Sequence, residues 1–250
     1  YGQDWTRFTT PAPTGIVFPR DTADVVAVVE CARRCQFALV PSGGRTGLSG
    51  GACAANGEVV VSMDKMKAIS PVNLTDRTET VGAGAITQNV QQVAKDAGLF
   101  YPVDFASSGS SQIGGNIATN AGGINVIRYG MTREWVAGLT VVTGKGEVLE
   151  LNKGLMKNNT GLDFRHLFIG SEGILGFITQ ATLKLTAPPK DPTVLVLGLS
   201  DMSAIMAVLD RIQLTTPLLA YEFLSELAVS KVVDHAGVIR PFETRTPFYA

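Results

Sequence analysis

The chain has 250 residues, 45% of them hydrophobic and 17% charged, enough to bury a core and to form one or two domains. Its net charge of −1, with no basic or acidic block, argues against nucleic acid as a main partner, because a phosphate backbone calls for clustered Lys and Arg. No apolar run reaches the length of a membrane span, no signal peptide opens the sequence, and Tyr1 in place of Met points to a trimmed N-terminus.

Asp21–Cys35 reads as a helix. Asp21 can cap it, and Val25, Val28, Val29 and Ala32 recur at helical spacing to give one apolar stripe. Phe37–Val40, Val59–Met63 and Thr78–Val81 read as strands, and Ile86–Ala97 as a second amphipathic helix ended by Gly98. Ser107–Gly123 is rich in glycine, serine and asparagine and shows no period, so it reads as a functional or disordered loop. Val136–Thr143 and Glu147–Leu151 flank Gly144-Lys145-Gly146 as a hairpin. Asp163–Ile169 reads as a short helix and Gly176–Leu185 as a strand. Pro188, Pro189 and Pro192 mark a boundary, followed by strand Thr193–Leu199, helix Ser203–Leu214 and strand Leu219–Leu224. There is no internal repeat, and the fold class is α+β.

Cys31, Cys35 and Cys53 form an odd, sparse set, which fits a reducing compartment and buried free thiols. His166 and His235 are the only histidines, too few for an ordinary zinc site. His166 reads as structural and His235 as surface.

Four glycine-bearing segments stand out. "PSGGRTGLSGG" (Pro41–Gly51) lacks the closing Gly-Lys-Ser/Thr of a lysine-bearing phosphate loop. Its successive amides can still form an anion nest, helped by Ser42, Thr46, Ser49 and Arg45; a tight structural turn is the alternative. "GAGAIT" (Gly82–Thr87) mimics a dinucleotide fingerprint but has Thr87 in place of the third glycine and no downstream acidic partner, so it reads as a decoy. "SSGSSQIGGNIATNAGG" (Ser107–Gly123) is the more specific. Gly109, Gly114, Gly115, Gly122 and Gly123 let backbone approach a flat ligand. Ser110, Ser111, Asn116, Thr119 and Asn120 offer short hydrogen bonds, and Ile113 and Ile117 apolar contact. In "LFIGSEGILGFIT" (Leu167–Thr179), Glu172 is a lone charge that fits a backbone bond, a ligand hydroxyl or a helix end equally well.

"PSGGRTGLSGG" and "SSGSSQIGGNIATNAGG", with "RYG" (Arg128–Gly130), "NNTGLDFRHLFIGSEGILG" and "YEF", together resemble the FAD-binding domain of the vanillyl-alcohol-oxidase or PCMH type. Within it they are most similar to the FAD-linked D-2-hydroxyacid dehydrogenases, the D-lactate, D-2-hydroxyglutarate and glycolate-oxidising types. The resemblance covers most of residues 1–225. It implies a two-lobed FAD-binding domain over 1–187, then the beginning of a substrate or cap domain over 188–250. Pro41, Ser42, Gly43, Gly44, Arg45, Thr46, Gly47 and Ser49 would wrap the diphosphate. Pro102 and residues 109–123, with Gly109, Ser110, Ser111, Ile113, Gly114, Gly115, Asn116, Thr119, Asn120 and Gly123, would line the flavin and diphosphate. Glu172, Gly173 and Ile178 would lie near the ribityl and adenosine end.

Two departures qualify the resemblance. Many relatives tether FAD through a histidine after the paired glycines of the first loop; here Arg45 follows Gly43-Gly44, which implies noncovalent FAD. The catalytic histidine, metal-binding histidines and substrate arginine of these dehydrogenases lie in a C-terminal half, so no catalytic or metal-binding residue is expected within this chain. The function implied for the whole protein is oxidation of a D-2-hydroxy acid to a 2-oxo acid by hydride transfer to flavin N5. Electrons would leave to a quinone, cytochrome, electron-transfer flavoprotein or oxygen. Two alternatives stand beside it: an FAD-binding module without catalysis of its own, and an NADPH-dependent enzyme similar to UDP-N-acetylenolpyruvoylglucosamine reductase. A cytoplasmic location is expected, with membrane association through the acceptor as its variant. An incomplete cap implies exposed apolar surface at Leu195, Leu197, Ile205, Val208 and Leu209, or a homodimer covering it.

Overall fold

The computed structural model describes residues 1–250. Gly15–Val17 (β1) leads into Thr22–Cys35 (α1), Leu39–Ser42 (β2) and Val59–Ser62 (β3). These strands form a parallel sheet in the order β1-β3-β2, with Val59, Val60 and Val61 in the central strand, where a β-branched run packs on both faces. Asp21 caps α1 by accepting the Asp24 N–H at 2.8 Å, and Val25, Val29 and Ala32 are its buried face. Thr78–Gly82 (β4), Thr87–Asp96 (α2), Ile113–Ala118 (α3) and Val126–Tyr129 (α4) follow. Val136–Thr143 (β5), Val148–Leu151 (β6), Arg165–Phe168 (α5) and Gly176–Lys184 (β7) come next. The second sheet is antiparallel, in the order β4-β7-β5-β6.

Two cores hold these lobes. The larger joins the second sheet, through Val81, Leu139, Val141 and Leu183, to Val90 and Ala94 of α2 and Ile113 and Ile117 of α3. The smaller joins Val25 and Val29 of α1 to Val61 of the first sheet and to Val142 and Phe177 of the second. α1 therefore sits between the sheets, and its Thr22 hydroxyl meets that of Thr179 on β7 at 2.9 Å.

The last elements are Gly198–Leu199 (β8), Met202–Gln213 (α6), Leu224–Ser225 (β9), Glu226–Ala236 (α7) and Phe248–Tyr249 (β10). The chain divides into two compact units: residues 1–123 with 130–188, and residues 124–129 with 189–250. The second unit carries a small antiparallel sheet, β8-β10-β9. Its polar hub is Glu226, which accepts from the Tyr249 hydroxyl and the Ser230 hydroxyl, both at 2.8 Å, and pairs with Arg240 at 3.0 Å. No helix of the chain is long and apolar enough to cross a membrane.

Several expectations are corrected. The aperiodic stretch Ser107–Gly123 contains α3. Gly114 is buried there because a Cβ would lie 2.7 Å from Cβ of Ala83, so close packing outweighs the low helix propensity of Gly114-Gly115. The strand expected at Thr193–Leu199 shrinks to Gly198–Leu199, and Val194 is 86% exposed. The strand expected at Leu219–Leu224 begins only at Leu224, so Tyr221-Glu222-Phe223 lies before it rather than in it. Ile205 was expected to be exposed but is buried, while Val208, Leu209 and Leu197 are half-buried and only Leu195 is exposed. The thiols are free but not buried: Cys31 and Cys53 are intermediate and Cys35 is exposed.

Candidate functional site

The first glycine loop leaves β2 at Ser42 and returns to β3. A parallel pair joined without a helix needs a long connection, and this one runs over the surface at the end of the sheet. Arg45 takes a left-handed φ of 58°, uncommon for a residue with a Cβ, and Gly50 one of 82°. Gly44 has no side chain because it lies against the second glycine segment. A Cβ there would collide with the Ser110 carbonyl and stand 2.8 Å from Cα of Ser111. The two segments thus meet backbone to backbone.

They enclose a cavity of about 700 Å³, within the range of small-molecule and cofactor sites. Of the residues singled out from the sequence, Pro41, Ser42, Gly43, Gly44, Arg45, Thr46, Gly47 and Ser49 of the first loop line it. So do Gly114, Gly115, Asn116, Thr119, Asn120 and Gly123 of the second segment, and Glu172, Gly173 and Ile178. Pro102, Gly109, Ser110, Ser111 and Ile113 do not. Ile113 and Pro102 are buried, Gly109 and Ser110 are exposed, and the Ser111 hydroxyl bonds that of Thr87 at 2.8 Å.

The polar side chains of the second segment were expected to face a ligand; several of those that line the cavity also hold the scaffold. Asn116 donates to Thr87 Oγ1 at 2.6 Å, and Thr119 donates to the Gly115 carbonyl at 3.0 Å. Asn120 Oδ1 accepts the Arg133 N–H at 3.0 Å. The open donors lie in the first loop. The Gly50 N–H is held by Asp4, but the amides from Gly44 to Ser49 donate to no protein acceptor. A row of such amides suits an anion. A Cβ at Gly47 or at Gly115 would meet no protein atom, so bareness at these two positions serves space outside the protein's own packing. Met63, Phe105, Met131, Phe177 and Ile178 supply apolar wall. Open amides beside an apolar slot fit a group with an anionic diphosphate and a flat ring system.

Charge in the cavity is locally balanced. Arg45 lies 4.4 Å above the Tyr1 ring, donates to the Gly43 carbonyl at 2.8 Å and sits 3.8 Å from Asp64. Burial works against the charge on Asp64. Hydrogen bonds from the Tyr1 hydroxyl at 2.6 Å and from Gln112 Nε2 at 2.7 Å, together with Arg45, outweigh it and hold the carboxyl below its ordinary range. Among lining residues, sequence reasoning missed Asp4, Phe105, Met131 and Phe177, while Gln112 fell within the expected range 109–123. Asp4 carried no local signal.

The "GAGAIT" turn is packed into the scaffold. The Gly84 amide donates to the Met66 carbonyl at 2.8 Å and that of Ala83 to Thr179 at 3.0 Å. A Cβ at Gly84 would strike the Met63 carbonyl, so these glycines serve close backbone packing. Neither histidine lines the cavity. His166 faces Asp163 at 3.5 Å, and His235 is exposed in the last turn of α7.

Residues 13–152 match the family described as FAD binding domain. The chain is 58% identical over 250 residues to D-2-hydroxyglutarate dehydrogenase of Stutzerimonas stutzeri (strain A1501), covering 100% of this chain and 54% of that protein. It is 53% identical to D-2-hydroxyglutarate dehydrogenase of Xanthomonas citri pv. viticola, covering 100% of this chain and 52% of the relative. The chain thus spans about half the length of the curated relatives it matches. The solved structure of an alkyldihydroxyacetonephosphate synthase superposes with a TM-score of 0.69 at 25% identity, over 80% of this chain and 36% of that one. The fold, the cavity with its open amides and these matches agree: the chain belongs to the FAD-binding domain family of PCMH-type flavoproteins, and FAD is its cofactor.

Proposed function

We propose that this chain is the FAD-holding part of a longer dehydrogenase that oxidises a D-2-hydroxy acid to the 2-oxo acid, with D-2-hydroxyglutarate as substrate. The observation that carries the reading is the cavity of about 700 Å³ shared by both glycine segments, with amides from Gly44 to Ser49 open along one wall. The names of the relatives support the substrate class. When bound, FAD would supply the two-electron acceptor of the reaction.

In this reading the backbone from Gly44 to Ser49 would hold the diphosphate by N–H donation. Met63, Phe105 and Phe177 exclude water from the ring system. Arg45 occupies the tether position without a nucleophilic nitrogen of histidine type, so FAD is held noncovalently. The acid–base group lies outside these 250 residues, in the part of the relatives' length that the chain does not span. Asp4 already accepts three hydrogen bonds, and both histidines are away from the cavity. Residues 188–250 are read as the beginning of the substrate domain. The electron acceptor is a quinone, a cytochrome or an electron-transfer flavoprotein, and the three unpaired cysteines favour a cytoplasmic setting.

The test is turnover. The flavin-loaded full-length protein is given D-2-hydroxyglutarate, D-lactate and glycolate with a dye acceptor. Formation of 2-oxoglutarate with dye reduction supports the reading. Flavin reduction by NADPH with none by any of the hydroxy acids would contradict it.

A further inference from the structure

We propose that residues Tyr1 to Thr6 form a clasp that positions the first glycine loop for FAD, with Asp4 as its positioning residue; this rests on the reading that FAD occupies the cavity. Asp4 is only 6% exposed and lines that cavity, although it stands far from the loop in sequence. Its Oδ2 accepts the Gly50 N–H at 2.7 Å. Its Oδ1 accepts the Thr6 N–H at 3.0 Å and the Thr6 hydroxyl at 2.6 Å. The neighbouring Trp5 N–H donates to the Gly47 carbonyl at 3.1 Å, and the Ala54 N–H donates to the Gly2 carbonyl at 2.9 Å. Tyr1 completes the grip, with its hydroxyl on Asp64 at 2.6 Å and its ring beneath Arg45 at 4.4 Å.

The grip is selective. It takes hold at Arg45, Gly47, Gly50 and Ala54, and it leaves the amides between Gly44 and Ser49 open. A loop with five glycines loses much conformational freedom on ordering. If the clasp orders it beforehand, that loss is not charged to cofactor binding, and affinity rises without any added contact to FAD. Gly50, held at φ 82°, is the point at which a single carboxylate fixes the return of the loop. Asp4 acts through Gly50 and not on FAD, since both of its oxygens are engaged by protein donors.

The experiment is FAD titration of the apo form of the full-length protein, followed by flavin fluorescence quenching, with visible circular dichroism of the bound flavin as second readout. Asp4→Ala is expected to weaken FAD binding by at least roughly ten-fold and to alter the flavin dichroism. Thr14→Val, which removes a hydroxyl bond to the Gly57 carbonyl outside the clasp, is expected to stay within about two-fold of the parent. If Asp4→Ala does not fold, Tyr1→Phe carries the test, with an expected loss of roughly three-fold from the freed Asp64. A parent that binds no FAD overturns the reading of the cavity. A parent that binds, with Asp4→Ala or its substitute Tyr1→Phe unchanged, overturns the clasp. Equal weakening by Asp4→Ala and Thr14→Val also overturns it, because Asp4 would then serve folding in general.

Discussion

Glu79 lies on β4 with its side chain in the interior, 1% exposed, and neither carboxylate oxygen has a hydrogen-bond partner. The hydroxyl of Tyr101, fully buried, is likewise unpartnered, and the proximity of Glu79 adds to burial in pushing the Tyr101 phenol upward. Burial raises Glu79 from an ordinary 4.5 to about 7. The folded chain therefore binds this proton more tightly than the unfolded chain does. The resulting stability is fully present below about pH 4.5 and is lost as pH rises through about 7. With each factor of ten in proton affinity worth about 1.4 kcal/mol, the loss amounts to about 3 kcal/mol. Glu79→Gln keeps the shape and removes the titration. Urea unfolding followed by circular dichroism, on parent and variant at pH 4.5 and pH 8, isolates the effect, because other groups titrate in both proteins. The stability of the variant relative to the parent is expected to rise by about 3 kcal/mol between the two pH values. A difference that stays constant within about 0.5 kcal/mol would refute the reasoning and mean that Glu79 has a partner in solution.

Three further outcomes follow from the site. Gly44→Ala forces a Cβ against the Ser110 carbonyl and to 2.8 Å from Cα of Ser111, and such overpacking costs about 1–3 kcal/mol, so melting temperature, FAD affinity or both must fall. Because Arg45 is already faced by Asp64 and Tyr1, FAD is held without a spare cation; its dissociation constant, measured by fluorescence titration, should change less than about three-fold between roughly 0.05 and 0.5 M NaCl. Thr87→Val leaves the Asn116 amide and the Ser111 hydroxyl without their buried partner, and thermal or urea unfolding should show a loss of about 1–3 kcal/mol.

The parts of the fold read correctly from sequence are those in which local chemistry and tertiary need coincide. In α1, a capping Asp21 and the stripe Val25, Val29 and Ala32 are both local signals and core contacts. α3 was missed because Gly114 and Gly115 oppose helix formation locally, and what overrides them is the contact of Gly114 with Ala83, distant in sequence. Val194, Leu195 and Val196 look like a strand by composition, yet a strand needs a partner, and these residues are exposed before β8 begins. In the site, the glycine segments announced themselves, since bare backbone is legible as composition. The division of labour within them was not. Asn116, Thr119 and Asn120 have the same hydrogen-bonding chemistry whether they face a ligand or the scaffold, and only packing decides. Asp4 was invisible because its meaning depends on Gly50, a residue that only the fold brings to it.

The central claim is that the two glycine segments hold FAD through backbone and without a covalent bond. The most direct measurement is the visible absorption spectrum of the purified protein, loaded with FAD and desalted, then denatured and filtered. The expected result is a flavin spectrum retained through desalting and released entirely into the filtrate on denaturation. A protein that keeps no flavin, or one whose flavin stays with the denatured chain, would contradict it.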